Sequence, residues 1–212
     1  MSRSEPSQPF SGTISGRMVP LPIEDIDTDQ IIPASFLKTT SRDGLGDGLF
    51  AAWRADADGP ASILDRPERR GASVLVAGSN FGCGSSREHA AWALADFGFR
   101  AVLSPKLADI FRKNALGNGL LAIEVPPMHG ARLLAIAADD PDAAVTIDLE
   151  ACAWTAPWGE IVPFAVDPFA RECLLSGTDT LGWLLDQVPA IERHEAASGL
   201  TLDTRAVLGG GS

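Results

Sequence analysis

Ser73-Val74-Leu75-Val76-Ala77-Gly78-Ser79-Asn80-Phe81-Gly82-Cys83-Gly84-Ser85-Ser86-Arg87-Glu88-His89 is the stretch on which the chain turns. It opens on a short β-branched and aliphatic run and leads into Ala90 to Phe97, an alanine-rich apolar segment of good helix formers. The pattern predicts strand, tight glycine-rich loop and buried helix. Such a junction brings free backbone N–H groups and the positive end of a helix dipole to one spot, which suits an anion. Gly82 and Gly84 remove side chains that would keep a ligand off the backbone. Arg87 is expected in the first helical turn, where a cation is unfavourable unless a negative group faces it; its planar fork matches a carboxylate or phosphate. Ser85 and Ser86 put two hydroxyls at the same rim. A purely structural reading stands beside this one. Ser85-Ser86-Arg87-Glu88 fits the S-x-x-E capping box, with Ser85 as the cap and Glu88 reaching back to its amide.

Two phosphate-loop readings fail. Arg87 stands where the dinucleotide fingerprint wants a third glycine, and the next strand, Ala101-Val102-Leu103, runs into Ser104-Pro105 with no acidic ribose partner. No Gly-Lys-Ser/Thr is present.

Working outward, the order strand, helix, strand, helix, strand predicts a parallel βαβ core with helices packed on the sheet, and ligands beyond the carboxyl ends of its strands. Gly16 to Leu21 reads as a strand broken by Pro20 and Pro22. Asp25 to Asp29 alternates carboxylates; it fails as a calcium loop, because Gln30 and Phe36 stand at the glycine and glutamate positions, and fits an ordinary turn. Residues 34–50, with Lys38, Arg42 and three glycines, form either a mobile connection or a recognition flap. Residues 54–70 read as an exposed excursion. Ser104-Pro105 are expected to cap a helix ending near Asn114, followed by a strand at 120–123. Further on, 131–138 is read as a short helix, 144–154 and 161–166 as strands of a hairpin around Pro157-Trp158-Gly159, and 168–175, 180–187 and 189–197 as short helices. Trp154, Trp158 and Trp183 are read as packing residues rather than a cofactor box.

The 212 residues suffice for one domain with a sizeable core, taken as residues 11–197, with 1–10 a disordered start and 198–212 a flexible tail. A net charge of -11 argues against nucleic acid or an anionic membrane as partner, and an anion site on so acidic a chain implies a locally positive pocket. The first ten residues lack the apolar core of a signal peptide and no apolar run reaches spanning length, so cytoplasm is the expectation. Cys83, Cys152 and Cys173 contain no C-x-x-C, and His89, His129 and His194 have no paired metal spacing. Disulfides, zinc or an iron-sulfur cluster held by this chain alone are not expected. Cys83 is read as a small loop residue or as a thiol of lowered pKa near a helix start.

Gly84-Ser85-Ser86-Arg87-Glu88-His89 resembles the active-site loop of the aconitase superfamily. With Asn80-Phe81-Gly82-Cys83 in front, it is similar to the small-subunit family of bacterial 3-isopropylmalate dehydratase. Asp27-Thr28-Asp29-Gln30-Ile31-Ile32-Pro33, Phe36-Leu37, Arg42-x-Gly44-x-Gly46, Leu49-Phe50, Trp53, Ala108-Asp109-Ile110-Phe111, Asn114 and Leu120-Leu121 carry the same likeness across roughly residues 10–195. The resemblance implies an α/β fold, the swivelling β/β/α three-layer domain that closes over the cluster-bearing part of aconitase, here a free-standing chain with a C-terminal strand and helix extension. It further implies Ser85 as catalytic base, Arg87 as the grip on a substrate carboxylate, Ser86 and the loop amides, Gly84 included, assisting, and Asp27, Thr28, Asp29 and Cys83 lining the site toward a partner. Arg42 is a second carboxylate contact by resemblance, or a solvated loop arginine. A [4Fe-4S] cluster is implied on a large subunit, since this chain lacks its three cysteine ligands. The implied reaction is the interconversion of 2-isopropylmalate and 3-isopropylmalate through 2-isopropylmaleate in leucine biosynthesis. A sister hydro-lyase acting on citraconate or dimethylmalate, and a non-enzymatic anion-binding module, are the alternatives.

Overall fold

The structure, a computed structural model, describes residues 12–36, 44–56, 58–59, 61–178 and 180–198. Among them a single seven-stranded sheet runs in the order β4-β3-β2-β1-β5-β6-β7. Strands β1 (Thr13–Leu21), β2 (Val74–Ala77), β3 (Ala101–Ser104) and β4 (Leu121–Glu124) are parallel. Strands β5 (Ala144–Asp148), β6 (Ala153–Thr155) and β7 (Ile161–Pro163) add antiparallel pairs beyond β1. The expected parallel βαβ core is present, and the C-terminal strands extend it as a mixed sheet.

Strand alternation divides the core between two faces. Val19, Leu21, Leu75, Ala77, Val102 and Ala122 face the cluster built with helices α3 (Glu88–Phe97) and α4 (Asp109–Gly117). Met18, Val74, Val76, Ala101, Leu103 and Ile123 face α5 (Pro127–Asp139), α6 (Pro168–Ser176) and the buried Trp154. Both faces of β2 are thus covered, which explains why it reads as one unbroken apolar run. Four buried small or aliphatic residues, Ala90, Ala91, Ala93 and Leu94, let α3 lie close on the sheet. Gly98 then stops the helix in the left-handed region, its amide returning to Ala95.

Several elements differ from expectation for identifiable reasons. Pro20 does not break β1. The Gly78 amide donates to the Leu21 carbonyl and the Met18 amide to the Ala143 carbonyl, both at 3.1 Å. Even-numbered residues of β1 therefore bond toward β5, whose pairing ends at Arg17, and Pro20 sits past the point where an N–H would be needed. Ser104 caps no helix; it ends β3, buried, with its hydroxyl 2.7 Å from the carbonyls of both Gly78 and Lys106, and α4 starts only at Asp109. The expected strand at 144–154 is two strands, because a turn through Glu150–Cys152 reverses the chain and pairs β6 back on β5. The β6–β7 hairpin stands as expected. The helix expected at 131–138 begins earlier, with Pro127 at its first turn. Pro189 does not divide the last segment: α7 (Thr180–Ser198) continues through it. Proline removes one hydrogen bond from such a helix, and here that site lies on the solvent side. Trp154 is fully buried and meets Trp158 edge-on, and Trp183 packs edge-on against Phe169. No described helix is long and apolar enough to cross a membrane.

Candidate active site

Two loops leave the carboxyl ends of β1 and β2, and because those strands are adjacent and parallel the loops meet. The join is strand-like. Asp25 donates from its amide to the Ser79 carbonyl (2.9 Å), Gly82 and Cys83 donate to the Ile26 carbonyl (2.7 and 3.1 Å), and Thr28 donates to the Cys83 carbonyl (3.0 Å). On the other side Phe81 donates to Lys106 (3.1 Å) and accepts from Ala108 (3.0 Å), so the β2 loop is held between both neighbours. Asn80 and Asp25, both at positive φ, are tied by the Asn80 amide donating to the Asp25 carboxylate at 2.8 Å.

Gly82 has a different reason from the one its position suggested. It is buried, at φ +76°, and a Cβ there would lie 2.3 Å from the Phe111 ring. The glycine makes room for α4, not for a ligand. Gly84, at φ +88° and exposed, fits the open-loop reading; a Cβ there would reach 3.3 Å from that of Asp27.

The first loop ends in a genuine capping box that the sequence carried as D-x-x-Q. Gln30 donates its amide to the Asp27 carboxylate (2.7 Å), and Asp27 donates its amide to the Gln30 side chain (2.8 Å). This fixes α1 (Thr28–Ile31) with Thr28 buried at its start; the next helix in the chain is the single turn α2 (Ala51–Arg54). The Thr28 hydroxyl donates to the Ser85 carbonyl at 3.0 Å and lies 3.4 Å from the Ser85 hydroxyl oxygen.

The second capping box, expected at Ser85-Ser86-Arg87-Glu88, does not form. Helix α3 begins at Glu88, and Arg87 is the capping residue, with extended backbone (φ −132°) and no side-chain cap bond. Ser85 therefore precedes the helix and is exposed, as are Gly84 and Ser86. Among the described residues, no acceptor pairs with the amides of Gly84, Ser85 or Ser86. Arg87, half buried and outside the helical turn, meets the negative group its placement called for: its guanidinium donates to the Asp29 carboxylate.

The structure thus brings together Asp27, Thr28, Asp29, Cys83, Gly84, Ser85 and Arg87. Ser86 shares the loop but makes no side-chain hydrogen bond among the described residues, and Arg42 lies outside them. Of the two readings of Cys83, the structure favours the small loop residue over the activated thiol. Burial, and then the carboxylates of Asp27 and Asp25, push its pKa up, and the helix start is five residues away. A locally positive pocket is not seen among the described residues either: Arg87 is already paired with Asp29, and the carboxylates of Asp27 and Asp25 stand close enough to Cys83 to act on it. The pairing of Asp29 with Arg87 left no sequence signal, because the two lie 58 residues apart.

Among the described residues the side chains that could ligate a metal stand apart. Cys83 sits on the β2 loop, Cys152 in the β5–β6 turn and Cys173 inside α6, and no described group of three His, Cys, Asp or Glu side chains converges.

Residues 10–128 match the model of the aconitase C-terminal domain, and residues 131–168 match the LeuD_N model. The mixed sheet with helices on both faces and a serine-arginine loop at its carboxyl edge is that class of domain. Among curated proteins, the 3-isopropylmalate dehydratase small subunit of Roseiflexus sp. (strain RS-1) is 54% identical over 202 residues, covering 94% of this chain and 98% of its own. That of Anaeromyxobacter dehalogenans (strain 2CP-C) is 56% identical over 185 residues, covering 86% and 95%. The crystal structure of 3-isopropylmalate dehydratase from Methanocaldococcus jannaschii aligns with a TM-score of 0.63 at 28% identity, over 86% of this chain and 99% of that one. The chain belongs to the family of 3-isopropylmalate dehydratase small subunits.

Proposed function

We propose that this chain is the small subunit of a two-chain hydro-lyase that interconverts 2-isopropylmalate and 3-isopropylmalate through 2-isopropylmaleate, a step of leucine biosynthesis carried out in the cytoplasm. The observation that carries the reading is Ser85, exposed beside Arg87 on a loop whose amides at Gly84, Ser85 and Ser86 meet no acceptor among the described residues. Elimination of water from a hydroxy-dicarboxylate breaks a C–H bond and leaves its electrons spread into a carboxylate. The Ser85 oxygen takes that proton; amides and guanidinium around it offset the charge that makes it basic. Arg87 exchanges Asp29 for a substrate carboxylate, which it grips in a planar fork. Ser86 and the Gly84 amide add hydrogen bonds to the same substrate, and Arg42 supplies a second carboxylate contact. A [4Fe-4S] cluster on the large subunit supplies the Lewis acid for the departing hydroxyl. Among the described residues of this chain no set of ligands for it converges.

The ion pair that Arg87 already makes with Asp29 speaks against tight dicarboxylate binding by the chain alone, and so against a stand-alone anion-binding module. The test is reconstitution with the large subunit and an ultraviolet assay for the unsaturated intermediate. Ser85→Ala is expected to lower turnover roughly 10²- to 10⁴-fold, the range of general base catalysis. Near wild-type turnover would remove serine from the role. A panel including citraconate and dimethylmalate separates the isopropylmalate reaction from those of sister hydro-lyases.

A further inference from the structure

We propose that Thr28 is the positioning residue for Ser85, a buried hydroxyl that stabilises the charged form of the serine oxygen by changing its acceptor. The inference rests on the reading of Ser85 as base. Thr28 is 2% exposed, so water does not replace it as a donor at this point. Its backbone is held from two sides. Its amide donates to the Cys83 carbonyl at 3.0 Å, and the Asp27–Gln30 box fixes the turn it begins. Its branched Cβ restricts the side chain further.

A threonine hydroxyl has one proton and two lone pairs. In the structure the proton points to the Ser85 carbonyl at 3.0 Å, and the Ser85 hydroxyl oxygen stands 3.4 Å away. A neutral serine can then give its own proton to Thr28, which orients the serine lone pairs outward. When the serine oxygen is charged it offers no proton and demands one, and a hydroxyl rotation about the Thr28 C–O bond turns the donor from carbonyl to oxyanion. No heavy atom of the backbone has to move. A hydrogen bond to a charged oxygen, made by a group shielded from water, is stronger than the neutral bond it replaces, so the switch lowers the pKa of Ser85.

The experiment uses the assembled two-chain enzyme with Thr28→Val, Thr28→Ser and Ser85→Ala. Thr28→Val keeps shape and burial and removes the hydroxyl. It is expected to lower kcat about 10- to 100-fold, the worth of one hydrogen bond to a charged group, with KM changed less than about twofold. The acid limb of its kcat profile should move up by about one to two pH units. Thr28→Ser, which retains the oxygen, should restore most of the rate and the limb. In the Ser85→Ala background, Thr28→Val should bring no further loss of the residual turnover. An inactive Ser85→Ala alongside a Thr28→Val enzyme with unchanged kcat and pH limb overturns the inference alone. So does Thr28→Ser failing as badly as Thr28→Val, which would make the methyl group the important part. A fully active Ser85→Ala overturns the serine base and this inference with it.

Discussion

Replacing Gly82 by alanine tests whether the glycines of the β2 loop serve a ligand or the packing of the protein itself. At φ +76° an added Cβ meets the left-handed penalty of roughly 1–2 kcal/mol. The same atom would lie 2.3 Å from Cγ and 2.6 Å from Cβ of Phe111, closer than atoms approach, in a core where Phe81 and Phe111 already pack edge-on at 5.2 Å. Forcing extra carbon into a filled core costs about 1–3 kcal/mol. Gly82→Ala should therefore destabilise the isolated chain by about 2–5 kcal/mol, read as a lower midpoint in urea denaturation. Phe111→Ala by itself opens a cavity at a cost of about 3–5 kcal/mol. In the double variant the overpacking vanishes, so the combined loss should fall short of the two single losses by about 1–3 kcal/mol. Activity of the assembled enzyme should fall only as the fold does. A Gly82→Ala chain within about 0.5 kcal/mol of wild type, the range of ordinary surface changes, yet inactive in the complex, would refute the packing account and return Gly82 to ligand access.

Asp27→Ala removes the capping box that holds α1 and should cost about 1 kcal/mol in the same denaturation assay; an unchanged midpoint would show that the bridge to Cys83 alone holds the segment. In a variant carrying Cys152→Ser and Cys173→Ala, alkylation of Cys83 should be slower than that of free cysteine at neutral pH. Its raised pKa leaves less thiolate there, so the rate should climb with pH to a midpoint above that of a free thiol. A midpoint at or below that of free cysteine would contradict the burial and carboxylate account. Arg87→Lys keeps the charge but loses the planar fork, and should raise KM for the dicarboxylate about tenfold, equivalent to about 1.4 kcal/mol. An unchanged KM would place the carboxylate grip elsewhere.

Much of the fold was legible because its signals are local. The apolar runs at β2, β3 and β4, the alanine-rich α3 and the glycine at its end need only neighbours in sequence to be read. Punctuation by proline was less reliable, since a ring without an N–H matters only where a partner waits for one. Pro20 lies past the end of the β5 pairing and Pro189 on an exposed helix face, and the elements run through both. Ser104 looked like a cap and became a buried strand end, because carbonyls of Gly78 and Lys106 converge on its hydroxyl.

The candidate site divides in the same way. Its residue types stood together in Gly84-Ser85-Ser86-Arg87 and in Asp27-Thr28-Asp29, and the D-x-x-Q cap was readable from spacing alone. By itself, then, the sequence determined most of the elements, the family and the chemical groups on offer. The tertiary structure alone decided which partners those groups have: Arg87 on Asp29, Thr28 under Ser85, Gly82 against Phe111 and Cys83 beside two carboxylates. Such pairings depend on β1 and β2 lying side by side and parallel, so that two loops more than fifty residues apart leave the sheet at the same edge, and no short-range pattern encodes that adjacency.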